Sequence, residues 1–99
     1  EILIVRGVNI YPSAIENVLR GFPEIVEFAV DVYRQGALDE IEIRLEVHQP
    51  QESTDQIVEE VKKACRQNFG VRADVKIVEL GQLPRFELKS RRFTDRRIN

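Results

Sequence analysis

One lysine near the C-terminus sits where a side chain could do chemistry. Lys89 lies within Leu83-Pro84-Arg85-Phe86-Glu87-Leu88-Lys89-Ser90-Arg91-Arg92, a proline-anchored basic run that follows the last apolar strand pattern of the chain. A lysine carries a compact point charge on a flexible stem, so at such a place it can swing into a site. A second unusual run stands at the other end: Arg6-Gly7-Val8-Asn9-Ile10-Tyr11-Pro12-Ser13, followed by Ala14-Ile15-Glu16. Its glycine marks a tight turn between two short apolar stretches. Two other residues with reactive side chains carry less. His48 is the only histidine, at a strand end with no partner for a zinc site. Cys65 is the only cysteine, falls on the apolar side of a helical pattern, and reads as a buried, inert thiol.

The elements that must position these runs are legible from periodicity. Ile2 to Val5 and Val8 to Ile10 are brief β-branched stretches around Arg6-Gly7, the pattern of a short hairpin. Pro12 suits the first turn of a helix whose apolar residues are Ile15, Val18, Leu19 and Phe22, with Gly21 expected to stop it. Val26, Phe28, Val30 and Val32 alternate with Glu27, Ala29, Asp31 and Tyr33. After a loop at Gln35 to Asp39, Ile41, Ile43, Leu45 and Val47 alternate with Glu42, Arg44 and Glu46. These two strands are expected to form an antiparallel hairpin with one polar face. Ser53 or Thr54 should cap a second helix with an apolar stripe at Ile57, Val58, Val61, Ala64, Cys65 and Phe69, ended by Gly70. Val75 to Val78 is the last core strand. The expectation is an α+β fold: a ferredoxin-like β-α-β-β-α-β sandwich with a short N-terminal β-hairpin and a basic C-terminal loop.

Ninety-nine residues make one domain with one modest core. With 42% hydrophobic and 32% charged residues the chain reads as globular. No stretch approaches the roughly 20 apolar residues of a membrane span, and nothing resembles a signal peptide. The chain starts at Glu1 and holds no methionine, so residues 1–99 are expected to be a piece of a longer protein. A single cysteine suits a reducing, cytoplasmic setting. Charge is unevenly placed. Residues 81–99 hold six basic against two acidic residues, +4, while residues 1–80 hold nine against fifteen, −6. The tail has no acidic partner close in sequence, so its charge is expected to meet an anionic partner or another domain, a solvated extension being the plain alternative.

The first run resembles the segment after the interdomain hinge of adenylate-forming enzymes, the superfamily of acyl-CoA synthetases, peptide-synthetase adenylation domains and luciferases. Ile4-Val5-Arg6-Gly7-Val8-Asn9-Ile10-Tyr11-Pro12 is most similar to the phenylacetate-CoA ligase branch. The second run resembles that branch's terminal loop through Leu83, Pro84, Arg85, Lys89 and Arg92, with Leu88 where the family usually has glycine. The resemblance spans the chain and implies a C-terminal lid domain, residues 1–99, of an AMP-forming acyl-CoA ligase whose large N-terminal domain is absent. It implies that ATP and coenzyme A are the co-substrates, with Mg held mainly by the absent domain. The acid would be a small aromatic or acyl carboxylate. It implies that Lys89 is catalytic in adenylation, and that Gly7 lets the pantetheine arm pass in the thioester step. Arg6, Arg85 and Arg92 would contact CoA phosphates or the large domain. No metal site is expected on the lid itself, and homodimerisation is left open.

Three other readings meet these residues less fully or equally. A ferredoxin-like module binding a small regulatory molecule explains the strands but not Leu83 to Arg92. The lid of a related synthetase that adenylylates a coenzyme shares both runs. A nucleic-acid binder would need aromatic residues on the sheet face. That face offers Glu27, Asp31, Glu42 and Glu46 with Tyr33 alone, which repels phosphate.

Overall fold

The computed structural model describes residues 2–48, 54–85 and 89–97, with residues 89 and 90 described by their backbone. Strands β1 (Leu3–Val5) and β2 (Val8–Ile10) pair antiparallel, Leu3 opposite Ile10 and Val5 opposite Val8. The two residues left between them, Arg6 and Gly7, have φ of 51° and 78°. Positive φ at both positions gives the turn type whose twist matches that of the strands it joins. Helix α1 (Pro12–Arg20) starts on Pro12 after an extended Tyr11 and buries Ile15 and Leu19. Its end differs from expectation. Gly21 keeps a right-handed φ of −73°, so glycine's left-handed freedom does not stop this helix. Pro23 disfavours helical backbone at Phe22 instead.

Strands β3 (Ile25–Gln35) and β4 (Leu38–Val47) form the long antiparallel hairpin, with Val30 opposite Ile43 and a bulge between Ile25 and Glu27. Helix α2 (Thr54–Phe69) lays Ile57, Val61 and Cys65 inward, and Gly70, at φ 69°, ends it. The cap expected at Ser53 lies outside the described residues. Strand β5 (Asp74–Ile77) runs parallel to β4, Val75 beside Ile43. After a 3-10 turn over Lys89–Arg92, strand β6 (Phe93–Asp95) runs parallel to β3, Phe93 beside Val30. The sheet order is β5-β4-β3-β6, and the β1-β2 hairpin stands as its own two-stranded sheet.

The fold is therefore α+β with the expected chain order of elements up to β5. The basic C-terminal segment carries an element that its pattern does not announce. Three residues are too few for a period-two signal, but Phe93 sets its ring edge-on to Phe28 at 6.2 Å, and the Arg96 N–H donates to the Val32 carbonyl at 2.7 Å. One core joins everything: Leu3, Val5 and Ile10 of the small hairpin, both helices' inward residues, and Phe28, Val30, Ile43, Leu45 and Val75 of the sheet. Burying side chains of this size stabilises by about 1.5–3 kcal/mol each. The small hairpin is thus cemented to the body, and so is the turn at its tip.

Candidate functional site

The glycine turn is rigidly tied at its base and open at its tip. The Arg6 backbone N–H donates to Asp39 Oδ2 (3.2 Å), its Nε to the Asp39 carbonyl (2.8 Å) and its Nη2 to Glu40 Oε2 (2.8 Å). Asp39 also meets Arg34 at 3.2 Å and Arg97 at 3.2 Å. These donors, the Arg6 N–H foremost, hold the Asp39 carboxyl below its ordinary range. The anchorage explains how a non-glycine residue keeps a left-handed backbone at Arg6. At Gly7 a Cβ would meet no heavy atom within 4 Å, so its backbone faces open space. Beside the turn lies a groove of about 330 Å³ lined by Arg6, Glu40, Lys62, Arg72, Ala73 and Asp74.

The second run is tied to the sheet's polar face. Glu46 is fully buried, yet it accepts four hydrogen bonds. The Gly81 N–H reaches Oε1 at 2.9 Å and the Leu83 N–H reaches Oε2 at 2.7 Å. Arg85 closes a fork on both oxygens at 2.9 and 3.0 Å. Led by the Arg85 fork, these donors outweigh burial and hold the Glu46 carboxyl down at about 2. Glu27 makes the same kind of clasp with the far end of the run. Arg92 Nε donates to its Oε1 at 2.8 Å, with both side chains under a tenth exposed. The Arg92 guanidinium also lies 5.2 Å from the centre of the Phe28 ring, a cation–π approach in a desolvated setting. Further along, Arg96 meets Asp31 at 3.1 Å and Arg97 meets Asp95 at 2.9 Å.

The expectation that the tail lacks acidic partners is thus corrected: Arg85, Arg92, Arg96 and Arg97 all meet carboxylates of the domain's own strands. The reason lies in register. Glu27 stands opposite Glu46, and Asp31 opposite Glu42. Like charges directly opposed across a ladder destabilise it. The tail's arginines, with Arg44 on Asp31 at 3.0 Å and Lys76 on Glu42 at 3.0 Å, relieve that repulsion.

Of the residues expected to do chemistry, Gly7 and Arg6 sit together at one end of β3, where Asp39 pairs with Arg34. Arg85, Arg92 and the backbone of Lys89 sit at the other, around Glu27. The side chain of Lys89 and the whole of Leu88 lie outside what is described. Seven residues of strand separate Glu27 from Arg34, which at roughly 3.3 Å each places the two runs on the order of 20 Å apart. Sequence reasoning missed four residues here. Glu27 and Glu46 look like any outward strand acid, and only tertiary packing buries them. Lys62 and Arg72 come to the groove from α2 and from the β5 approach, and no motif marks them. Cys65 is buried, and burial pushes its thiol up to about 11. Among the described residues no group of three or more His, Cys, Asp or Glu could hold a metal ion. Among them, too, no helix is long and apolar enough to cross a membrane.

Residues 7–97 match the family of AMP-binding enzyme C-terminal domains, and the chain belongs to that family. Among its relatives is the phenylacetate-coenzyme A ligase of Thermus thermophilus, 35% identical over 88% of this chain and 24% of that protein. The phenylacetate-coenzyme A ligase of Escherichia coli is 30% identical over 98% of this chain and 24% of that protein. The chain thus spans about a quarter of the length of these relatives. A crystallised domain of phenylacetate-coenzyme A ligase from Bacteroides vulgatus superposes with a TM-score of 0.85 at 26% identity, covering 100% of this chain and 95% of that one. A 2-hydroxyisobutyryl-CoA ligase, solved with 2-HIB-AMP and CoA in its thioesterification state, superposes with a TM-score of 0.88 at 28% identity, over 98% of this chain and 21% of that one. Membership in this family accounts for the two runs, which the regulatory-module reading left unexplained.

Proposed function

We propose that this chain is the mobile C-terminal domain of an ATP-dependent, AMP-forming aryl- or acyl-CoA ligase of the phenylacetate-CoA ligase kind, working in the cytoplasm. The observation that carries the reading is the placing of its two runs at opposite ends of β3, on the order of 20 Å apart. They are too far apart to serve one reaction centre at once, so the domain must present them in turn. The large domain completes the site, holding Mg, ATP and a small aromatic or acyl carboxylate.

In the first step a carboxylate oxygen bonds to the α-phosphorus of ATP while the bond to pyrophosphate breaks. One anion approaches another, so a cation fixed where charge develops lowers the barrier. Lys89 supplies it. In the second step the CoA sulfur bonds to the acyl carbon, AMP leaves, and the thiol proton passes to solvent. The Gly7 turn then faces the site. Its open backbone lets the pantetheine arm lie close, and Lys62 and Arg72 in the adjoining groove offer positive charge to CoA phosphates, while Arg6, held by Asp39 and Glu40, fixes the turn. Arg85 and Arg92 already hold Glu46 and Glu27, so in this reading they set the run's geometry.

The test separates the half-reactions in the full-length ligase carrying this chain. Lys89→Ala should lower ATP–pyrophosphate exchange by on the order of a hundredfold, as when one preorganised electrostatic contact is lost. Thioester formation from synthetic acyl-adenylate should stay within about threefold. Equal loss in both half-reactions would refute the two-ended domain.

A further inference from the structure

Glu27 and Glu46 occupy directly opposed positions on β3 and β4, so their Cβ atoms stand about 5 Å apart. Each grips an arginine of the Lys89 run: Glu46 holds Arg85, and Glu27 holds Arg92. Only six residues, among them Lys89, lie between those arginines. Arg85 and Arg92 are therefore held at one place on the sheet. Lys89 opens the 3-10 turn whose last residue is Arg92, so its Cα is about three residues, or 6 Å, from a fixed point. We propose that Glu27 and Glu46 are positioning residues for Lys89, a paired clasp that sets where the lysine's stem begins.

The chemistry of the clasp fits that task. A carboxylate is acceptor-only, and Glu46 has all its inward donors arranged around it: two backbone N–H groups and a bidentate guanidinium. A bidentate fork fixes angle as well as distance, which a single surface ion pair does not. A glutamine at position 46 would turn one oxygen into an NH2 that faces an Arg85 N–H together with the Gly81 or Leu83 N–H, so the fork cannot close. The first foot of the run would then wander, and misplacement of a catalytic group by about 1 Å can lower a rate on the order of a hundredfold.

The inference rests on the reading that Lys89 acts in adenylation, and one experiment separates the two. In the full-length ligase, Glu46→Gln and the milder Arg85→Gln are measured for both half-reactions, alone and combined with Lys89→Ala. Expected is a tenfold to hundredfold fall in the kcat of adenylation, with KM values for ATP and acid within about twofold and thioester formation within about threefold. In the Lys89→Ala background either change should lower adenylation less than about twofold further, since the clasp acts only through the lysine. General damage to the domain would depress both half-reactions, and would overturn the proposal if Arg85→Gln behaved the same way. Adenylation that falls equally with and without Lys89, or does not fall in either single variant, would also overturn it while leaving the role of Lys89 intact. A Lys89→Ala enzyme with full adenylation would remove both readings.

Discussion

Acid should loosen this domain through Glu46 in a window set by its own hydrogen bonds. In the unfolded chain a glutamate titrates near 4.5; in the fold, four donors hold Glu46 down at about 2. Between those values the unfolded chain binds a proton that the folded domain does not. Its contribution is thus fully present above about pH 4.5 and is lost as pH falls toward 2. A gap of that size corresponds to at most about 3 kcal/mol at 1.36 kcal/mol per unit. The Arg85 side chain is 56% exposed, so solvent screening brings the expected value to about 1–2 kcal/mol. The measurement is urea unfolding of the 99-residue chain and its Glu46→Gln variant at pH 6, 4, 3 and 2.5, followed by circular dichroism. A relative's domain of matching extent crystallised by itself, which makes the isolated chain a fair subject. Other carboxylates titrate in both proteins, so the difference between them isolates Glu46. The gap in stability should be widest at pH 6 and shrink steadily below pH 4.5. A gap independent of pH would refute the reasoning, because the donors would then not discriminate the carboxylate from its protonated form.

Other outcomes follow from the same geometry. Gly7→Asn, whose side chain tolerates a left-handed backbone, should keep the hairpin yet still slow the thioester half-reaction; if only Gly7→Leu slows it, strain and not access is responsible. Cys65 should resist aromatic disulfide reagents at pH 8 in the folded chain and react within minutes in 6 M guanidinium, because burial keeps its thiol protonated. Phe28→Ala should lower stability by about 3–5 kcal/mol in chemical denaturation, since the ring is buried and anchors Phe93 and Arg92.

Much of this protein can be read along the chain, for a physical reason. Period-two alternation at Ile41 to Val47, helical spacing at Ile57 to Cys65, and turn chemistry at Arg6-Gly7 are local, and each is matched by an element. The two runs were visible because residues such as Gly7, Pro84 and Lys89 have no task in a sandwich pattern. What the chain order could not decide is what those runs touch. The acidic partners of the tail were not legible because residues 39 to 65 positions apart in sequence meet only when strand register brings them together. Glu27 and Glu46 show the point most clearly. By spacing both are solvent-facing strand acids. Their opposition across β3 and β4 makes an unpaired arrangement costly, and the C-terminal segment folds back to supply the arginines. Composition determined how much charge of each sign the chain carries. Only tertiary structure, through the desolvation and repulsion of opposed carboxylates, decided that Arg85 and Arg92 of the basic tail would fold back onto Glu46 and Glu27.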